Sequence, residues 1–484
     1  MFVNDRARAL KAASLTILFL MSVTASAAFA QNGEMPLSGS KEAVALFNQG
    51  RQKTENLENP GTLFDQAVQK DPNFALGHIY AGQNNRDTQK HLGIALQLID
   101  KASPGEREWI LAAKALNDGD GAGRRTHLEN LLKLHPKDKR AHSLMGIYYR
   151  NNGDETSALR HFNEAISIDK KYAPAYNNIG YSNMALGKMG DAEAAFKSYI
   201  KLIPANPNPY DSYAELLMRN GKHSDSIAQY NMALAKDPSF LASYRGIGNN
   251  HEYMGDFANA RLAYQKMFDK AANDGQRDQA LVYMMNSYLA QGDSKKALEY
   301  NDKRLAVAEK DNDAATLYGL HSLAAFVSLE AGNLAGAAEH FGMADKLIND
   351  PSLTGNAENR RFNSRVGRAR LMAAQGNFEE ANKEVLIMQE FVSTRQNVNL
   401  RRGYEQTAGF VALHNKDYAK AAEHFAKTNP TDPYMWYYRA LALEGAGDSS
   451  GAADLYRKIA GWNRLVVTGY AVVRPKAIAK LQSK

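Results

Sequence analysis

Small and aromatic residues recur along this 484-residue chain with a period of 34. Gly153, Gly187, Gly221 and Gly255 mark the interval; Ala158, Ala192, Ser226 and Ala260 follow five residues later. Four residues further on stand Phe162, Phe196, Tyr230 and Tyr264, and seven residues before each glycine stand Gly146, Gly180, Ala214 and Gly248. Pro136, Lys170, Pro204 and Pro238 occupy the repeat boundaries. The pattern predicts two antiparallel helices per repeat. The inter-helix glycine takes a left-handed backbone angle at low cost, and proline ends the second helix. The small residues let helices approach, and the aromatic fills the space between neighbours. One hairpin cannot bury its own apolar face, so stacking supplies the core.

Counting outward extends the array. Leu128 with Pro136 closes a repeat that starts near Gly105, Leu96 with Pro104 closes another, and Phe64, Ala67 and Pro72 close the first. Downstream the period loosens through Gly292, Gly332, Gly376, Lys416 and Gly447, each followed five residues later by Ala297, Ala337, Ala381, Ala421 and Ala452. The reading gives roughly twelve repeats, most regular over 105–272, with atypical terminal units that cap the stack. Residues 1–30 read as a secretory signal, 31–40 as a linker, 41–272 as a first array, 273–461 as a more irregular second array, and 462–484 as a capping tail.

The period and its fixed small and aromatic positions resemble the tetratricopeptide repeat family over nearly the whole mature chain. The stretch from Tyr199 to Leu234 is also similar to a subgroup of exported bacterial solenoids. The resemblance implies an all-α, right-handed superhelix whose concave face is lined by positions 2, 5, 6, 9, 12 and 13 of each first helix. Applied here, it implies a peptide- or protein-binding groove at Asn177, Asn178, Tyr181, Asp211, Glu215, Arg219, Arg245, Asn249 and Glu252. Amide side chains both donate and accept, so they suit the backbone of an extended peptide, and tyrosine adds adaptable apolar area. The family's lysine-and-asparagine clamp for a peptide carboxylate is not reproduced. Asn178 matches its middle element, but Ser143 and Ile147 replace the first pair, and Asn208 and Ser212 the last.

Composition narrows the compartment. Arg6, Arg8 and Lys11 precede an apolar stretch too short to span a bilayer, and Ala28-Phe29-Ala30 offers a signal-peptidase site before Gln31. The chain has no cysteine, which removes thiol nucleophiles, thiolate metal sites, lipid-modified cysteine and disulfides. Export without cysteine fits the periplasm. The net charge of +7 is mild and not gathered into a tract, so nucleic acid is not an expected partner.

The sequence offers no catalytic, cofactor or metal motif: neither HExxH nor GxSxG nor a phosphate-binding glycine loop occurs. The run 119–123 reads as an inter-helix turn. His161, His340 and His424 each precede the repeat aromatic and read as outer-face residues on separate repeats. The tail after Trp462 is expected to cover the last repeat, with Pro475 opening a short basic helix. The expected function is a non-catalytic periplasmic scaffold for a protein or peptide partner. The alternative is an accessory factor of an envelope enzyme system that contacts glycan.

Overall fold

The computed structural model of the chain describes residues 33–85, 87–353, 357–464 and 466–483. The expected secretory signal lies outside the described residues. The described chain is all-α, without strands: twelve helical hairpins, from Lys41–Glu55 with Leu63–Lys70 to Pro433–Gly445 with Ser449–Ala460, and one terminal helix, Thr468–Gln482. This is the α-solenoid architecture that the 34-residue period predicts. No described helix is long and apolar enough to cross a membrane.

The turns at Gly153 and Gly255 are built from the same two residues. Gly153 has φ 79° and Gly255 φ 81°. The next residue, Asp154 or Asp256, caps the second helix by accepting from the backbone N–H of Ser157 or Asn259. Gly153 N–H reaches Arg150 O at 3.0 Å, and Asp154 N–H reaches Tyr149 O at 2.9 Å, which satisfies the last carbonyls of the first helix. The run 119–123 works the same way, with Asp120 capping Gly121–Leu134 through the N–H of Gly123.

The small positions are contact points. A Cβ on Gly180 would lie 2.5 Å from the Phe196 ring, and one on Gly248 would lie 2.2 Å from Tyr264. Phe162, Phe196 and Tyr264 are fully buried. Hairpin boundaries carry a second lock. The rings of Tyr176, Tyr210, Tyr244 and Trp436 each donate to the carbonyl six residues back, on Lys170, Pro204, Pro238 and Pro430, at 3.0–3.2 Å.

By internal packing the chain divides into two units, residues up to 216 with 235–237, and 217–234 with 238–484. The first unit has an aromatic core in which Phe47 meets Phe64, Phe74 and Tyr80 edge-on. Its first residues run as an extended segment held by side-chain carboxylates. Met35 N–H donates to Asp138 at 2.9 Å, Ser38 N–H to Glu106 at 3.1 Å, and Ser40 N–H to Asp71 at 2.8 Å.

The second unit's core gathers Met285, Phe410, Trp436, Tyr456 and Ile459 with Tyr470, Val472 and Val473 of the terminal helix. The tail packs in the same core as the last hairpin, and its helix begins at Thr468 and contains Pro475 rather than starting there. Burial of Tyr470, Val472 and Val473 fixes those residues in helical conformation despite their modest propensity.

Candidate functional site

First helices of the hairpins carry the expected groove positions. In the first unit, Asn178 Oδ1 accepts from Arg150 at 2.5 Å, and its Nδ2 donates to Pro174 O at 3.0 Å. Tyr181 OH donates to Glu215 at 3.1 Å, and its ring packs edge-on to Phe196 at 5.3 Å. Burial, followed by the Glu215 and Asp211 charges, raises the pKa of the Tyr181 hydroxyl well above the ordinary tyrosine range. Tyr181 is therefore a packing residue as well as a surface one. The Asn177 side-chain oxygen is buried and finds no partner among the described residues.

The remaining expected groove residues lie in the second unit. Asn249 is buried and accepts from Tyr264 OH at 2.8 Å. Glu252 is buried too, and burial raises its carboxyl to about 8, although Tyr264 and Ser287 hydrogen-bond to it. Arg219 contributes its charge to the surroundings of Tyr253, and Arg245 is half-buried. The structure thus pairs Asn178 with Arg150 and Tyr181 with Glu215, and places Asn249 and Glu252 beneath the surface rather than on it.

The sequence reading missed a second constellation. Glu330, with a side chain only 3% exposed, accepts from Tyr434 OH at 2.5 Å, Tyr438 OH at 2.6 Å and Lys476 Nζ at 2.9 Å, and pairs with Arg370. Burial alone would raise its carboxyl, but Arg370, Lys476 and the two hydroxyls outweigh burial and hold it at about 2. Arg370 also sits 3.9 Å over the Phe410 ring. The signal was present. Counting from Gly332, Gly376 and Gly447, Glu330 falls at position 13, Arg370 at 9, Tyr434 at 2 and Tyr438 at 6. Each is a groove position by the mapping used for the regular repeats.

The first unit has a counterpart. Arg140, also at position 2, pairs with Glu55 and with Glu34 at 3.0 Å, while Lys139 joins Asp169 at 2.7 Å.

The histidines do not stand separately on an outer face, which corrects the expectation for them. His161 and His142 meet at 3.2 Å through their Nδ1 atoms, His340 and His321 at 3.3 Å, and His424 bonds Glu405 at 2.7 Å. Each pair is separated by 19 residues, because positions 4 and 23 face each other across one hairpin. His142 Nε2 lies 3.1 Å from Pro136 O, so it donates there; its Nδ1 accepts, and His161 donates. Burial, with the His142 and Arg160 charges, lowers His161 to about 4. Among the described residues no group of three or more histidine or acidic side chains is placed to hold a metal.

The geometry defines an α-solenoid of stacked helical hairpins. The sequence matches no protein-family profile and no curated protein. Among solved structures it is similar to a thermophilic tetratricopeptide protein of Thermus thermophilus, at 17% identity and TM-score 0.33, covering 37% of this chain and 99% of that one. It is also similar to PilW, described as a type IV pilus biogenesis factor, at 19% identity and TM-score 0.36, covering 42% and 92%. A further match is MamA of Desulfovibrio magneticus, at 16% identity and TM-score 0.31, covering 34% and 94%.

Proposed function

We propose that this protein is a non-catalytic scaffold of the cell envelope, exported to the periplasm, that holds a peptide or protein segment on its inner faces. The observation carrying this reading is the polar ladder on the first unit. Arg150 holds Asn178 and Glu215 holds Tyr181, and on the same helix the buried oxygen of Asn177 has no donor among the described residues. A buried polar atom without a partner costs on the order of 1–3 kcal/mol, a cost that a peptide N–H would relieve. The extended segment 34–40, held by carboxylates at three backbone N–H groups, is an example within the chain of the same kind of grip. Export is supported by the Ala28-Phe29-Ala30 site.

The test is position-specific photocrosslinking in intact envelopes, with a photoreactive residue at Asn177 or at the exposed Glu164 on a second helix. A stoichiometric protein adduct from Asn177 is expected, on a chain whose first residue lies at or near Gln31. An adduct formed only from Glu164, or an uncleaved chain in the cytoplasm, overturns the reading.

A further inference from the structure

The inner face of the second unit already holds a helix. The terminal helix, Thr468–Gln482, divides at Pro475. Pro475 has no N–H, so the helical bond to Ala471 O cannot form there. Before it, Tyr470 donates to Ile459 O at 3.2 Å, and Val473 is fully buried against the last hairpins. That part is a seal.

Beyond Pro475 only Ala477 stays fully buried in the core, and the other contacts change character. Lys476 reaches Glu330 at 2.9 Å, and Lys480, one turn on, reaches Glu444 at 2.8 Å; both lysine side chains are more than a third exposed. A cavity of about 870 Å³, lined by Gly292, Asp293, Glu330, Ala331, Pro475 and Lys476, remains open along this stretch. Beside Arg474, just before the proline, Tyr253 OH is buried without a partner among the described residues. A hydrophobic core would not be assembled from a carboxylate, two phenols and a guanidinium, whereas a site that recognises an ammonium group would be.

We propose that residues 475–482 are a latch on the inner face of the second unit, which a partner's basic helix displaces. The partner presents two lysines four residues apart along one edge, matched to Glu330 and Glu444, with small apolar residues beside them. Pro475 is the point at which the latch lifts while the seal stays closed. This inference rests on the reading that the inner faces bind protein segments.

The test uses the full chain and a fluorescent synthetic peptide of residues 475–483, the part whose seat is vacated while the seal stays closed. In the unaltered protein the tethered latch competes at millimolar effective concentration. Lys476→Glu with Lys480→Glu releases it, so the labelled peptide should bind this variant roughly tenfold to a hundredfold more tightly than it binds the unaltered protein. A peptide carrying the same two glutamates should bind neither. Equal binding to both proteins, or none to a variant that keeps its helical circular dichroism, overturns the latch.

Hydrogen exchange on the unaltered chain gives a second readout that needs no variant. Amides of 477–482 should open at least about a hundredfold more often than those of Pro433–Gly445. Equal protection makes the segment part of the core and ends the proposal. A negative result here together with a crosslinked partner at Asn177 sinks the latch alone and leaves the scaffold reading standing.

Discussion

Glu252 shows how one residue can work against the fold that contains it. It is buried, its Oε1 has no partner, and burial raises its carboxyl to about 8. Above about pH 4.5 the unfolded chain ionises this group while the folded chain keeps it neutral. Stability is therefore lost as pH rises toward 8 and levels off beyond. Glu252→Gln, neutral throughout, is expected to raise stability by roughly 1–3 kcal/mol at pH 8 and by little at pH 5. Urea unfolding at the two pH values measures this; a gain of the same size at both would contradict it. The sequence placed Glu252 on an exposed groove. Register identifies the position of a side chain on its helix, but whether another element lies over that position depends on contacts distant in sequence.

At the scale of the hairpin, the sequence was most legible where geometry admits few residues. The turn position is glycine at Gly153, Gly187, Gly221, Gly255, Gly292, Gly332, Gly376 and Gly447, all with positive φ. Lys416 occupies the equivalent place with φ 62°. A side chain in that conformation costs about 1 kcal/mol relative to glycine, and Lys416 is exposed. Lys416→Gly should therefore stabilise the protein by about 1 kcal/mol, seen as a higher urea midpoint; an unchanged or lower midpoint refutes it. The histidine pairs were illegible for a related reason. Their spacing of 19 crosses a turn, and the reading compared equivalent positions between repeats rather than facing positions within one. The Glu330 cluster, by contrast, is legible by the same position count, because its members keep the groove positions even where the period loosens.

Across the whole molecule, a stack of hairpins holds itself together through neighbours. Gly180→Leu drives a side chain into the space of Phe196, where even a Cβ would sit at 2.5 Å. Overpacking of this kind costs about 1–3 kcal/mol. Lost hydrogen-exchange protection should concentrate in residues 140–216 and fade over the hairpins on either side. Loss spread evenly along the chain would show that the stack behaves as one cooperative block. The expected count of about twelve repeats matches the twelve hairpins of the described chain, because each repeat states its own packing code. No comparable code announces what lies against the inner faces.

The extended segment 34–40 has a consequence for the order of events during synthesis. Met35 lies 103 residues before its anchor, Asp138, and Ser38 lies 68 before Glu106. A chain that emerges from its N-terminus presents this segment before any hairpin, yet its docking site is incomplete until the first three hairpins have emerged and the next has begun to fold. Long-range closure of this kind is slow compared with local helix pairing. These early residues are thus among the last to settle, and for that interval they are undocked polypeptide that proteases, chaperones or export factors can grasp.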